Sequence, residues 1–197
     1  SRGAKIKPQI ATSAYWQLLT NRNSRIRELK QLDDKMVAMT RYSVTDMLAD
    51  HVVDSAKLKS ERVFKVQIND VNVRLQMMQN NEMDAMFVTE PQATLARLSK
   101  HKLLLDTRKM DWNMGVIAFR EKPMKDVDRK RQYDVFVKAY NQACDSINKN
   151  GIAHYAHLME KYCRTRREAI DSIPKTKFHH AVGPREKDMM MAEKYIK

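Results

Sequence analysis

Glycine is scarce, with four residues in 197, and the chain carries no glycine-rich phosphate loop. Cysteine is scarcer: Cys144 and Cys163 lie nineteen positions apart with no histidine–cysteine ligand spacing around them. They are either free core thiols or one disulfide between neighbouring helices. The six histidines, including the adjacent His179 and His180, form no recognisable metal set, so neither a metal nor a cofactor is expected. No serine sits in a nucleophile elbow, and neither cysteine has a neighbouring motif that suggests activation. Catalysis therefore has no sequence support. No apolar run approaches the eighteen residues of a membrane span. There is no signal peptide at the start, yet "SRGAKIKPQI" is unlike a natural translation start, so the missing leader decides nothing about compartment.

Charge and apolar residues are both plentiful. Apolar residues make up 43% of the chain, enough for a folded core, and 31% are charged, with a net charge of +13. The basic residues are spread through the chain in short groups, "RNSRIRELK", "DRKRQY" and "CRTRREA". With no zinc-finger spacing, no glycine-rich basic tail and no strand bearing an aromatic pair, they read as a solvated surface, and nucleic acid is not expected as a partner.

The periodicity alternates. "KMVAMT" suits a strand at 35–40, and "RYSVTDMLADHVVDSAKL" follows with helical spacing and a capping box between Ser43 and Asp46. "RVFKVQI" is a strand at 62–68, Asp70 caps a short helix, and "DAMFV" is a strand at 84–88. Thr89 then caps a helix with Gln92 as its reciprocal partner and Pro91 in the first turn. "HKLLLDT" and "MGVIAFRE" are two further strands. Residues 1–30 are uneven and yield no clear element. After Pro123 the character changes: Tyr133, Phe136, Val137, Tyr140, Cys144 and Ile147 mark a long amphipathic helix that Gly151 stops. Shorter helices follow, one closed by Pro174, and "GPREKDMMMAEKYIK" reads as a last helix. Short helices alternating with nearly continuous apolar strands predict an α/β layer architecture.

In an α/β sheet, ligands collect beyond the carboxyl ends of the strands. Three polar corners stand there, at 40–46, 69–72 and 89–92. Arg41, Tyr42, Ser43 and Thr45 offer donors and a stacking ring, while Asp46, Asp70 and Glu90 offer negative charge. Asp46 is spent on its own helix end, which leaves Glu90 as the more available carboxylate. Each of these residues is equally an ordinary helix cap or solvated corner.

The order of the segments resembles the type 2 periplasmic binding proteins, the solute-binding components of ABC importers, in the branch serving sulfonates, nitrate and thiamine-pyrimidine precursors. Four stretches, spanning roughly 24–197, carry the resemblance. In "SRIRELKQLDDKMVAMTRYSVTDMLADHV", Leu32-Asp33-Asp34-Lys35 stands where Leu-Lys-Gly-Lys is usual. In "VRLQMMQNNEMDAMFVTEPQATLARL", Asp84-Ala85 and Glu90-Pro91 match the family's pattern, and Asn81 replaces a glycine. "NMGVIAFREKPM" resembles the strand that returns to the first lobe, and "VFVKAYNQACDSINKNGIAHYAHLMEKYC" the helices after it.

The resemblance implies a complete second lobe of mixed sheet and flanking helices over 31–114, and a partial first lobe from 1–30 and 115–197. It implies that a small polar organic solute, bearing an amino, hydroxyl or sulfonate group, is captured between two lobes by hinge closure. Ligand contacts would come from Thr40, Arg41, Tyr42, Ser43, Val44, Thr45, Asp70, Thr89 and Glu90. It further implies a monomer, exported to the periplasm or lipid-anchored at the cell surface, with a membrane permease as partner. The competing readings are a regulatory ligand-binding domain of the same fold and a hydrolase- or transferase-type α/β enzyme with an unidentified cleft.

Overall fold

A computed structural model describes residues 5–122 and 125–196. Pro123, where the sequence reading places its change of character, lies outside them, as do Met124, Lys197 and the first four residues. The chain divides into two compact units of similar size. Unit 1 joins 5–14, 112–164 and 174–196, and unit 2 joins 15–111 and 165–173. The sequence reading drew its lobe boundaries at 31 and 115, whereas residues 15–30 and 165–173 fall in unit 2. The strand Gln17–Thr20, which the sequence pattern did not reveal, brings 15–30 into unit 2, and the packing of Arg167–Asp171 against Gln92–Leu98 brings 165–173 there.

Unit 2 is a five-stranded sheet covered by short helices. In chain order its elements are β2 (Gln17–Thr20), β3 (Lys35–Met39), α1 (Val44–Ser55), β4 (Val63–Gln67), α2 (Val71–Gln79), β5 (Ala85–Val88), α3 (Gln92–Leu98), β6 (Lys102–Asp106) and, later, α6 (Arg167–Asp171). The strand order is β4-β3-β5-β2-β6. β3 pairs in parallel with β4 and β5, whereas β2 runs antiparallel between β5 and β6. All four residues of β2 and all four of β5 are buried, as befits strands with both faces covered. Leu19, Ala38, Met78, Met86, Ala93 and Ala96 form the core on one face. Residues Ala169 and Ile170 of α6 are buried too, and α6 packs on α3.

Two glycines usual in the resembling family are replaced where the backbone is left-handed. Asp34 has φ of 59° and Asn81 of 65°. Aspartate and asparagine are the non-glycine residues that tolerate this region best, since their short polar side chains hydrogen-bond locally. Three residues after Asn81, Asp84 ties strand to strand, its carboxylate accepting the Met36 amide at 2.9 Å.

At the start of β6, His101 is 4% exposed. Its Nδ1 accepts the Arg22 amide at 3.1 Å, so Nε2 bears the proton of the neutral ring, and that nitrogen is buried without a partner among the described residues. Burial, and then the nearby Arg22 charge, holds the imidazole below its ordinary pKa of 6.5. The unfolded chain therefore binds this proton at a higher pH than the folded one, and stability falls as pH drops through 6.5 towards the depressed value. Thermal melts at pH 7, 6 and 5 are expected to show unit 2 losing several degrees, with His101→Gln, which keeps an acceptor and cannot titrate, losing measurably less.

Unit 1 comprises an antiparallel ribbon of β1 (Ile6–Ala11) and β7 (Val116–Arg120), the long helix α4 (Val127–Asn150), α5 (Ala156–Cys163) and α7 (Glu186–Ile196). Asp126 caps α4 by accepting the Arg129 amide, and Gly151 ends the helix at φ of 79°. The expected stripe is present: Phe119 meets Tyr133 and Phe136 edge-on at 5.1 and 5.6 Å. Cys144 is buried and Cys163 half-buried, and the two are not joined in a disulfide, which decides the alternative left open by the sequence. No helix among the described residues is long and apolar enough to cross a membrane.

Candidate functional site

The parallel pairing of β3 with β4 and β5 brings their carboxyl ends to one edge of unit 2. β2 starts there, with Gln17 opposite both Val88 and Asp106, so β6 ends there as well. The three polar corners read from the sequence thus share one rim.

The first corner is closed by its own hydroxyls. The Thr40 amide donates to Thr45 Oγ1 at 2.9 Å, and Ser43 Oγ donates to the Thr40 carbonyl at 2.7 Å. Ser43 is the N-cap of α1, accepting the Thr45 amide, and Val44 is the first helical residue. Asp46 is buried and its carboxylate accepts the Tyr42 amide at 3.0 Å, one residue earlier than a capping box requires. Lys65 donates to Asp46 at 3.1 Å and to Asp50 at 2.6 Å. Burial pulls the Lys65 pKa down, but the bonds to Asp50 and Asp46 outweigh it and leave it raised. Tyr42 sits at φ of 57° and is 95% exposed. Arg41 is exposed too, with no hydrogen-bond or ion-pair partner among the described residues.

Asp70 caps α2 as expected, accepting the Asn72 and Val73 amides. At the third corner two expectations are corrected. Thr89 is not the side-chain cap of α3: the helix starts after Pro91 without a side-chain cap, and Thr89 contributes only its carbonyl, to the Ala93 amide. Nor is Glu90 the available carboxylate. It accepts the Thr94 amide at 2.9 Å, Arg97 Nη2 at 2.8 Å and Gln17 Nε2 at 3.2 Å, while Arg97 Nη1 donates to Gln17 Oε1 at 3.1 Å. Beside this network Asp106, also buried, holds the Arg108 guanidinium through Nε and Nη2, and Arg108 lies 4.5 Å from the centre of the Tyr15 ring. Burial would raise the Asp106 pKa, but the Arg108 bonds and charge, with Arg97 adding to them, leave it lowered.

Sequence reasoning missed Tyr15, Gln17, Arg97, Asp106 and Arg108, whose meeting depends on the unrecognised β2. It also missed Arg74, treated below. Each rim carboxylate is thus engaged by an amide or a cation. What faces solvent on the rim is the Arg41 guanidinium and the Tyr42 ring, with Asn69, Asp70 and Asn72 exposed beside α2 and the start of α1 half-buried, a polar set carrying both charge signs. Among the described residues no group of three or more His, Cys, Asp or Glu is placed to hold a metal ion. A groove of about 390 Å³ in unit 1, lined by Thr12, Ala14, Tyr140, Cys144, Ile147 and Phe178, is apolar and contains none of the expected site residues.

No protein-family model and no curated protein matches the chain. Solved structures do. The periplasmic aliphatic sulphonate binding protein SsuA of Escherichia coli superposes with a TM-score of 0.80 at 16% identity, over 99% of this chain and 65% of that one. The alkanesulfonate-binding protein SsuA of Xanthomonas axonopodis pv. citri, bound to MOPS, also has a TM-score of 0.80, at 13% identity, over 98% and 68%. The fold is the type 2 periplasmic-binding-protein fold. The chain spans about two thirds of the length of these proteins. The desulfurization enzyme DSZB is similar as well, with a TM-score of 0.62 at 12% identity over 96% of this chain and 69% of its own. The fold therefore hosts both binding and catalysis, and the site has to argue function.

Proposed function

We propose that this chain acts in an ABC-type importer as a solute-binding component that captures a small polar organic solute, with hinge closure as its mechanism and a membrane permease as its partner. The observation that carries this reading is the common rim of unit 2, where the start of α1, Arg41, Tyr42 and Ser43 stand beyond the carboxyl ends of β3, β4 and β5. Thr40, Thr45, Asp70, Thr89 and Glu90 then shape the rim, and Val44 offers a backbone amide. The rim's carboxylates are held as caps and ion pairs, with the Asp106 pKa lowered by Arg108, which suits binding better than acid–base chemistry. Unit 1 is, in this reading, part of a first lobe, and the protein is exported, periplasmic or lipid-anchored.

The test is isothermal titration with taurine, ethanesulfonate and MOPS. Saturable binding by at least one, weakened about ten-fold or more by Tyr42→Ala, supports the reading. Binding by none, or binding indifferent to both Tyr42→Ala and Arg41→Ala, overturns it.

A further inference from the structure

Arg74, in the second turn of α2, is 4% exposed although it carries a charge. Its Nε donates to the Ile68 carbonyl at 2.6 Å, its Nη1 to the Phe87 carbonyl at 2.8 Å, and its Nη2 to Thr40 Oγ1. Ile68 follows β4, Thr40 follows β3, and Phe87 is the penultimate residue of β5. One rigid fork therefore grips the carboxyl ends of three adjacent strands, in their order across the sheet. Burial lowers the Arg74 pKa, Asp70 partly opposing it through space, and among the described residues no carboxylate bonds the guanidinium directly.

Such an arrangement is expensive. A buried guanidinium bonded only to carbonyls and a hydroxyl loses most of its hydration without gaining an ion pair. An apolar residue here would pack α2 on the sheet at less cost, so stability of the unit alone does not explain it. What the fork adds is geometry. A planar group with fixed donor directions sets the spacing of its three acceptors, which a lysine's single flexible ammonium cannot do.

We propose that Arg74 is the positioning residue of the rim: it fixes the corners at 40–46, 68–70 and 87–90 relative to one another, so that the site is formed before any ligand arrives. This rests on the binding reading given above for the same rim. A preformed site binds without the cost of ordering its loops, which is where the affinity of a small polar site is commonly lost.

The experiment uses the full chain and needs no ligand. Amide hydrogen exchange is followed for wild type, Arg74→Lys and Thr40→Val, the last removing one acceptor and leaving the guanidinium in place. Arg74→Lys is expected to raise exchange about ten-fold or more at Thr40, Tyr42, Ile68 and Thr94, with Met36 and Asn21 at the other end of the sheet, and Thr107 on the far side of the rim, unchanged. Thr40→Val is expected to loosen the 40–46 corner alone. A uniform rise across unit 2 in both variants would show an ordinary structural arginine and overturn the proposal, as would no change in either. Titration of taurine, ethanesulfonate and MOPS into the same proteins separates the two ideas. Failure of wild type to bind any of them counts against the binding reading and leaves the exchange result to judge Arg74. Equal binding by wild type and Arg74→Lys overturns the positioning role.

Discussion

Amide hydrogen exchange is expected to run about two to three orders of magnitude faster along α4 than along β5 in this chain taken by itself. The cause is the distribution of core. Among the described residues, the buried apolar side chains of unit 1 are those of Ile10, Ala11, Cys144 and Ala156; the others, from Leu18 to Ile170, belong to unit 2. Ordering a residue costs about 1–2 kcal/mol, and burying a large apolar side chain returns about 1.5–3 kcal/mol. Unit 2 gathers many such side chains into one core, while the 24 residues of α4 bury a single side chain, Cys144. Val127, Val135 and Phe136 stay exposed, and so do Ile6 and Val116 on the ribbon. Mass-spectrometric exchange with peptide resolution measures the difference. Equal protection of the two segments in a monomer would contradict the account; equal protection that disappears on dilution would mean that another molecule covers the helix.

Glu90→Ala is expected to lower the stability of unit 2 by about 2–3 kcal/mol, enough to move its melting temperature by about ten degrees or more. The Glu90 and Arg97 side chains are 12% and 25% exposed, so the 3–5 kcal/mol typical of breaking a fully buried pair has to be reduced for solvent screening. Removing the carboxylate leaves Arg97 without its counter-charge, frees the Gln17 amide at the rim end of β2 and uncaps the Thr94 amide in one step. Had Glu90 been a ligand contact without local partners, alanine would change binding and leave the melt alone. Paired melts of wild type, Glu90→Ala and Arg97→Ala decide this. The double variant should cost less than the sum of the singles, because the two side chains share one network.

These two cases also mark where sequence reading works. β3, β4 and β5 were legible because each is a short apolar run ended by polar residues, and Ser43 and Asp70 were legible as caps because capping is a local matter of three residues. β2 was not. "QLLT" is four residues long, its only periodicity is burial on both faces, and its partners end at Val88 and Asp106, far along the chain. Without β2 the Gln17–Glu90–Arg97 network is invisible, which is why Glu90 looked unoccupied. Thr89 followed the pattern of a cap, yet the helix begins after Pro91, and the next carboxylate takes the orphan amide instead. Arg74 gave no signal, since an arginine within a polar helix is ordinarily a surface residue.

The position of β2 has a consequence for biosynthesis. It is the first strand of unit 2 to leave the ribosome, yet it must wait, apolar and unpaired, until β5 and then β6 have been made. The unit is still incomplete at that point, because Ala169 and Ile170 of α6 are made only well after β6. Non-local closure of this kind is slow and leaves strand edges open to wrong partners while translation proceeds. A premature stop anywhere before residue 165 would therefore release a chain in which unit 2 lacks α6, along with the damage to unit 1. Holdase chaperones acting on the nascent chain would have their natural target in the segment around β2.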